Sequence, residues 1–103
     1  APQVFVIGGN GSVIPVYRSL QRQGIPFAAG VLHRNDVDYQ VADALAAEVI
    51  GEKPFFCISE ENYQKALLVM SKCDRVICPL KDFGPMNERN RTLYEMAEKM
   101  GKL

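Results

Sequence analysis

The chain alternates short runs of apolar residues with stretches whose apolar positions recur at helical spacing. The first run is Gln3 to Ile7, containing Val4-Phe5-Val6-Ile7, and it stops at Gly8-Gly9. A continuous β-branched and aromatic run of this kind predicts a strand covered on both faces, as in a parallel sheet. Val13, Val16, Tyr17 and Leu20 then recur at helical spacing, with Ser12 as the expected N-cap and Pro15 in the first turn. Gly24 is placed to end that helix in the left-handed region.

A second apolar run, Phe27-Ala28-Ala29-Gly30-Val31-Leu32, leads into the polar loop His33-Arg34-Asn35-Asp36-Val37-Asp38. Val41, Ala44, Leu45 and Glu48 mark a second helix. Glu48-Val49-Ile50-Gly51 reads as a short strand towards one edge, limited by Gly51 and Pro54. The third helix is capped by Ser59, carries Glu60 and Glu61 in its first turn, and puts Tyr63, Ala66, Leu67 and Met70 on one face. Lys72 closes it with a charge suited to the helix dipole. Arg75-Val76-Ile77-Cys78-Pro79-Leu80 predicts a further strand. A loop follows, then a last helix with Leu93, Met96, Ala97 and Met100 inside and Gly101 at its end.

Alternating strands and helices imply an α/β fold: a Rossmann-like open parallel sheet of four or five strands, helices on both faces and right-handed crossovers. At 103 residues the chain is one domain. A strand almost at residue one, and a helix ending just before Leu103, lead us to expect a piece of a longer protein. No apolar run approaches a membrane span, and no signal peptide is visible. Zero formal net charge argues against a nucleic-acid partner. The three cysteines, Cys57, Cys73 and Cys78, have neither disulfide nor zinc spacing and read as reduced thiols in the cytoplasm, with Cys78 inside its strand and Cys73 at a helix end.

In open parallel sheets ligands bind beyond the carboxyl ends of the strands. Gly8-Gly9-Asn10-Gly11-Ser12 occupies such a position and feeds a helix N-terminus, where backbone amides favour an anion. A nucleotide or another small anionic molecule is the expected ligand, the alternative being a tight strand–helix turn that binds nothing; no metal is implied. Gly9-Asn10-Gly11 supplies part of a dinucleotide fingerprint, but Ile14 replaces its third glycine, and no Walker A lysine follows. Asp36 and Asp38 each suit either a ribose contact or a helix cap. Phe83 suits the wall of a ligand site or packing under its loop, and Asn87 suits a cap of the last helix. His33 is a lone histidine, and no catalytic residues stand out.

Four segments taken together resemble a known family. They are Val4 to Ser12, Ala29-Gly30-Val31-Leu32 running to Asp36-Val37-Asp38, Pro54 to Ser59, and Phe83-Gly84-Pro85-Met86-Asn87. This set is similar to the C-terminal extension of some ABC transporter ATPase subunits, those of the iron-siderophore, haem and cobalamin importers. The chain departs from it at His33 and Asn35, so no ligand is carried across. The resemblance implies a non-catalytic accessory domain that senses a small anionic ligand or mediates dimerisation, with the transporter's ATPase domain in the same chain and a homodimer as its assembly. It also implies a place at the inner face of the membrane through the transporter. The alternative expectation is a dinucleotide-binding fragment of an NAD(P)-dependent oxidoreductase using Gly9, Gly11 and Asp36.

Overall fold

The computed structural model describes residues 3–8, 13–31, 55–57, 63–78 and 88–103. Their elements are β1 (Val4–Ile7), α1 (Ile14–Arg22), β2 (Phe27–Val31), β3 (Phe55–Cys57), α2 (Tyr63–Lys72), β4 (Arg75–Ile77) and α3 (Glu88–Lys99). The strands pair in parallel in the order β3-β2-β1-β4. The α/β class and the parallel sheet therefore stand as the sequence implies.

β1 is buried along its whole length because each face of the sheet carries a helix layer. Its side chains alternate between two cores. Phe5 and Ile7 pack with Ala28, Ala66, Met70, Leu93 and Ala97, beneath α2 and α3. Val4 and Val6 pack with Val13, Tyr17, Leu20, Phe27 and Ala29, beneath α1. Burial on both sides removes any polar alternation, which is why the strand reads as an unbroken apolar run. In register, Phe5 stands beside Ala28 and Val4 beside Phe27, so large and small residues interlock across the pair. Tyr17 stacks on Phe27 with ring centroids 5.4 Å apart and planes 7° from parallel. This fixes α1 over β2 with an aromatic contact in addition to its aliphatic packing.

The strand order also explains which face each helix takes. The chain steps from β1 to β2 in one direction and returns from β3 past both to β4. Right-handed crossovers in opposite directions must lie on opposite faces, and α1 and α2 do so.

The helical faces fall where the apolar spacing puts them. Tyr17 and Leu20 are buried in α1, Ala66 and Met70 in α2, and Leu93 and Ala97 in α3. Tyr63, Leu67, Met96 and Met100 pack partly buried beside them. Two helices end as the glycines predict. Gly24 has φ +68° and Gly101 φ +69°. After α1, Gly24 N–H donates to Gln21 O at 3.1 Å and Ile25 N–H to Leu20 O at 3.0 Å. After α3, Gly101 N–H donates to Glu98 O and Lys102 N–H to Ala97 O, both at 3.0 Å. Each pair forms a Schellman motif that needs a left-handed residue at its glycine.

α2 has no such glycine and is closed from a distance. The Lys102 ammonium donates to Ser71 O at 2.6 Å, to Cys73 O at 2.5 Å and to Met70 O at 3.4 Å. A positive charge on the last carbonyls satisfies acceptors that the helix leaves open and complements its dipole.

Several expectations change. The N-cap of α1 is Val13, with no side-chain cap bond, instead of Ser12, which lies outside the described residues. A strand stands at Phe55–Cys57, where the apolar pattern predicts none. It is three residues long and follows a proline, so it has no alternation from which to read it. The expected helix around Val41 to Glu48 and the expected strand at Glu48 to Gly51 lie outside the described residues, as do Ser59, Glu60 and Glu61. β4 ends at Ile77. Cys78 is therefore half-buried just past the strand and is not a core strand residue. Cys73 is buried directly after α2, as expected.

Gly24 has open space around its Cα, so the cost of a side chain there is conformational. Gly24→Ala should destabilise by about 1–2 kcal/mol through left-handed strain, read from the urea midpoint. Burial pushes the Cys73 thiol from 9.0 to about 11, with Asp74 adding to the rise and the Lys102 charge opposing it. A raised thiol pKa means that the folded form holds its proton longer than the unfolded form. That contribution is complete below pH 9.0 and is lost as pH rises towards 11. The fall in melting temperature across this window should be shallower in Cys73→Ala than in the parent chain.

Candidate functional site

The sheet order creates one switch point. From β1 the chain leaves on one side, to β2, while β4 arrives on the other. At such a point the connections diverge and leave a crevice beyond the strands' carboxyl ends. Here those ends are Ile7-Gly8 on β1 and Ile77-Cys78 on β4.

Gly8 is buried and extends the β1–β2 ladder, its N–H donating to Gly30 O at 3.1 Å. A Cβ at this position would sit 2.9 Å from Val13 Cγ1 and 3.1 Å from Val13 Cβ. The glycine is thus required by packing. It lets the branched Val13, fully buried, close over the end of β1. This supplies, just ahead of the helix proper, the close helix–strand contact that Ile14 in place of a third glycine had put in question.

Val13 then opens α1. Val16 and Tyr17 N–H groups donate to Val13 O at 2.9 Å and 3.1 Å. Pro15 has no N–H, which leaves the Ile14 amide as the donor of the first turn. No acidic residue stands in that turn and no side chain caps it. The positive end of the helix dipole at the end of β1 is therefore not offset by a carboxylate of its own first turn. Alongside α1, Pro15, Val16, Ser19, Leu20, Gln23 and Ile77 line an open, mainly apolar groove of about 350 Å³. Its Pro15 end adjoins the first turn.

Of the residues expected to bind a ligand, the structure describes Gly8, at the switch point. Gly9, Asn10, Gly11, Ser12, Asp36, Phe83 and Asn87 lie outside the described residues, as does His33. Two residues at the switch point escape a reading of the sequence. Val13 is assigned there only to a helix face, and its role in positioning the turn shows only through Gly8. Cys78 is assigned to a strand interior, because nothing in the sequence ends the strand before Pro79. Among the described residues no group of three or more histidine, cysteine or acidic side chains could hold a metal ion. Among the same residues no helix is long and apolar enough to cross a membrane.

The comparisons give the chain a family. The MJ0874 family model matches residues 27–103. A relative from Methanocaldococcus jannaschii, named Uncharacterized protein MJ0874, is 36% identical over 72 residues, covering 70% of this chain and 77% of the relative. No solved structure matches. The chain belongs to the MJ0874 family. The family match starts at the first residue of β2, so β1 and the glycine turn precede it.

This finding corrects the resemblance to ABC transporter ATPase extensions, since neither the family nor the relative carries a transporter signal. The ATPase domain expected in the same chain, the homodimer within a transporter and the membrane contact through it lose their basis. The alternative of an NAD(P)-dependent oxidoreductase fragment falls on the same ground. Glycine-rich and loop-like sequence segments of this kind recur among unrelated α/β proteins and do not by themselves carry a family.

One prediction tests the geometry of the turn. Gly8→Ala forces Val13 to move or α1 to tilt, an overpacking change expected to cost about 1–3 kcal/mol. Chemical denaturation should show this loss, and Val13→Ala in the same chain should recover part of it, because it removes the two methyl groups the new Cβ meets.

Proposed function

We propose that this chain is a small-molecule-binding domain that holds an anionic ligand, a nucleotide or a similar compound, in the crevice between β1 and β4. The observation that carries the reading is the first turn of α1. It presents a helix N-terminus with no cap bond and no carboxylate of its own at the carboxyl end of a buried central strand. The switch point in the sheet order supports the same location.

In this reading Gly9, Asn10, Gly11 and Ser12 bring backbone amides to the anionic group, and Gly8, whose own N–H stays in the ladder, sets where they begin. Asp36, Phe83 and Asn87 come from the neighbouring loops to line the crevice. The apolar groove beside Pro15 and Val16 suits a non-polar part of the same ligand. The finer fold description belongs with this reading: residues 1–103 form one Rossmann-like domain whose complete sheet has four or five strands. The thiols of Cys73 and Cys78 fit work in the reducing cytoplasm.

Thermal shift with ATP, pyrophosphate and sulfate tests the proposal. A ligand that binds only the folded chain raises the melting temperature with its concentration. ATP or pyrophosphate should produce a saturating rise, and Ser12→Asp should abolish it by placing a fixed negative charge where the anion sits. The reading fails if none of the three anions stabilises the protein at millimolar concentration, or if Ser12→Asp leaves the rise unchanged.

A further inference from the structure

The outer edge of β4 is closed by a residue far along the chain. β4 has three residues, and successive amides of a strand point to opposite sides within the sheet. Arg75 N–H turns inward and donates to Gln3 O at 3.3 Å, next to Asp74 N–H at 2.8 Å from the same oxygen. Val76 N–H turns outward, away from β1, and donates to Lys102 O at 3.0 Å. By alternation Val76 supplies the one outward amide of this short strand, and Lys102 occupies it. With its outward amide occupied, this edge is a poorer template for another strand.

The same residue is held at its other end. Lys102 N–H is anchored in the Schellman motif of α3, on Ala97 O. Its ammonium reaches the final carbonyls of α2, on Met70, Ser71 and Cys73. One residue therefore joins α3, α2 and β4, and its strongest contacts are charge-assisted bonds from a single nitrogen. Cys73, whose carbonyl that nitrogen holds, is 1% exposed, its thiol donating to Val69 O at 3.3 Å. Leu103, next in the chain, is exposed.

We propose that residues 101–103 form a strap, latched by the Lys102 ammonium, whose release opens the outer edge of β4 and uncovers the Cys73 thiol in a single step. Closed, the strap keeps the edge paired and the thiol buried and protonated, a state in which cysteine is inert. Open, it presents an unpaired strand amide and a reactive thiol together. The ammonium is the latch because it donates to the Ser71 and Cys73 carbonyls, which no glycine motif closes.

The test follows two local probes against a global one in the intact chain. Hydrogen exchange reads the amides of Val76, Phe5 and Val6, and iodoacetamide labelling with peptide mass spectrometry reads Cys73. In the parent protein, Val76 exchange and Cys73 labelling should report the same opening, populated at least ~10-fold more than the opening that exposes Phe5 and Val6. Lys102→Gln should raise both Val76 and Cys73 rates by a common factor of ~10 or more while Phe5 and Val6 exchange little faster, and Lys102→Arg should restore them in part. The proposal is overturned if Val76 and Cys73 open only together with Phe5 and Val6, or if they open independently of each other. Should Lys102→Gln fail to fold, the exchange and labelling rates of the parent protein alone decide between these results.

Discussion

The described elements are built around one strand that is buried along its whole length. β1 has helices on both faces and strands on both sides, so all four of its residues are apolar and its backbone is paired on each side. Two cores result, one for each face, and they meet only through this strand and its neighbours. The end of β1 is then the place where chain must leave a fully packed environment and turn into a helix. Gly8 makes that possible by leaving room for Val13, and Val13 in turn sets where α1 begins. The position of the helix dipole at the switch point is a consequence of packing, and the proposed ligand chemistry uses a geometry that the core has already fixed.

The helix ends show how one small domain solves the same problem in two ways. α1 and α3 satisfy their last carbonyls locally, with a left-handed glycine and a following residue. α2 must run directly into β4 through Cys73 and Asp74, whose amides are engaged with Met70 and Gln3. It has no space for the local motif, and a lysine 29 to 32 positions later does the work. That arrangement concentrates responsibility in Lys102. Removing its side chain leaves the Ser71 and Cys73 carbonyls short of this donor, whereas removing an ordinary surface lysine changes little.

The sequence carried the helical faces well, because burial of Tyr17, Leu20, Ala66, Met70, Leu93 and Ala97 imposes a helical period that nothing else produces. It carried β1 equally well, since two-sided burial leaves an apolar run. It failed at Phe55–Cys57, where three residues are too few to show any period. It failed at the cap of α1, where Ser12 suits the role but the N-cap is Val13, packed against Gly8. Lys102 could not be read as a cap at all, since its partners are so distant along the chain. For the candidate site, the sequence pointed to the carboxyl end of β1, and the switch point lies there. Its family assignment misled because glycine turns and strand ends report backbone demands that unrelated α/β proteins share, while the chain's membership in the MJ0874 family rests on residues 27–103.

The central claim is that the turn between β1 and α1, positioned by Gly8 against Val13, presents amides to an anion. Backbone amide chemical shifts followed during a pyrophosphate titration address it most directly. The account predicts saturable shifts at Gly8 and Ile14, with Leu20 and the amides of α3 unmoved. Shifts centred on α3 or spread evenly over the surface, with Gly8 and Ile14 silent, would contradict it.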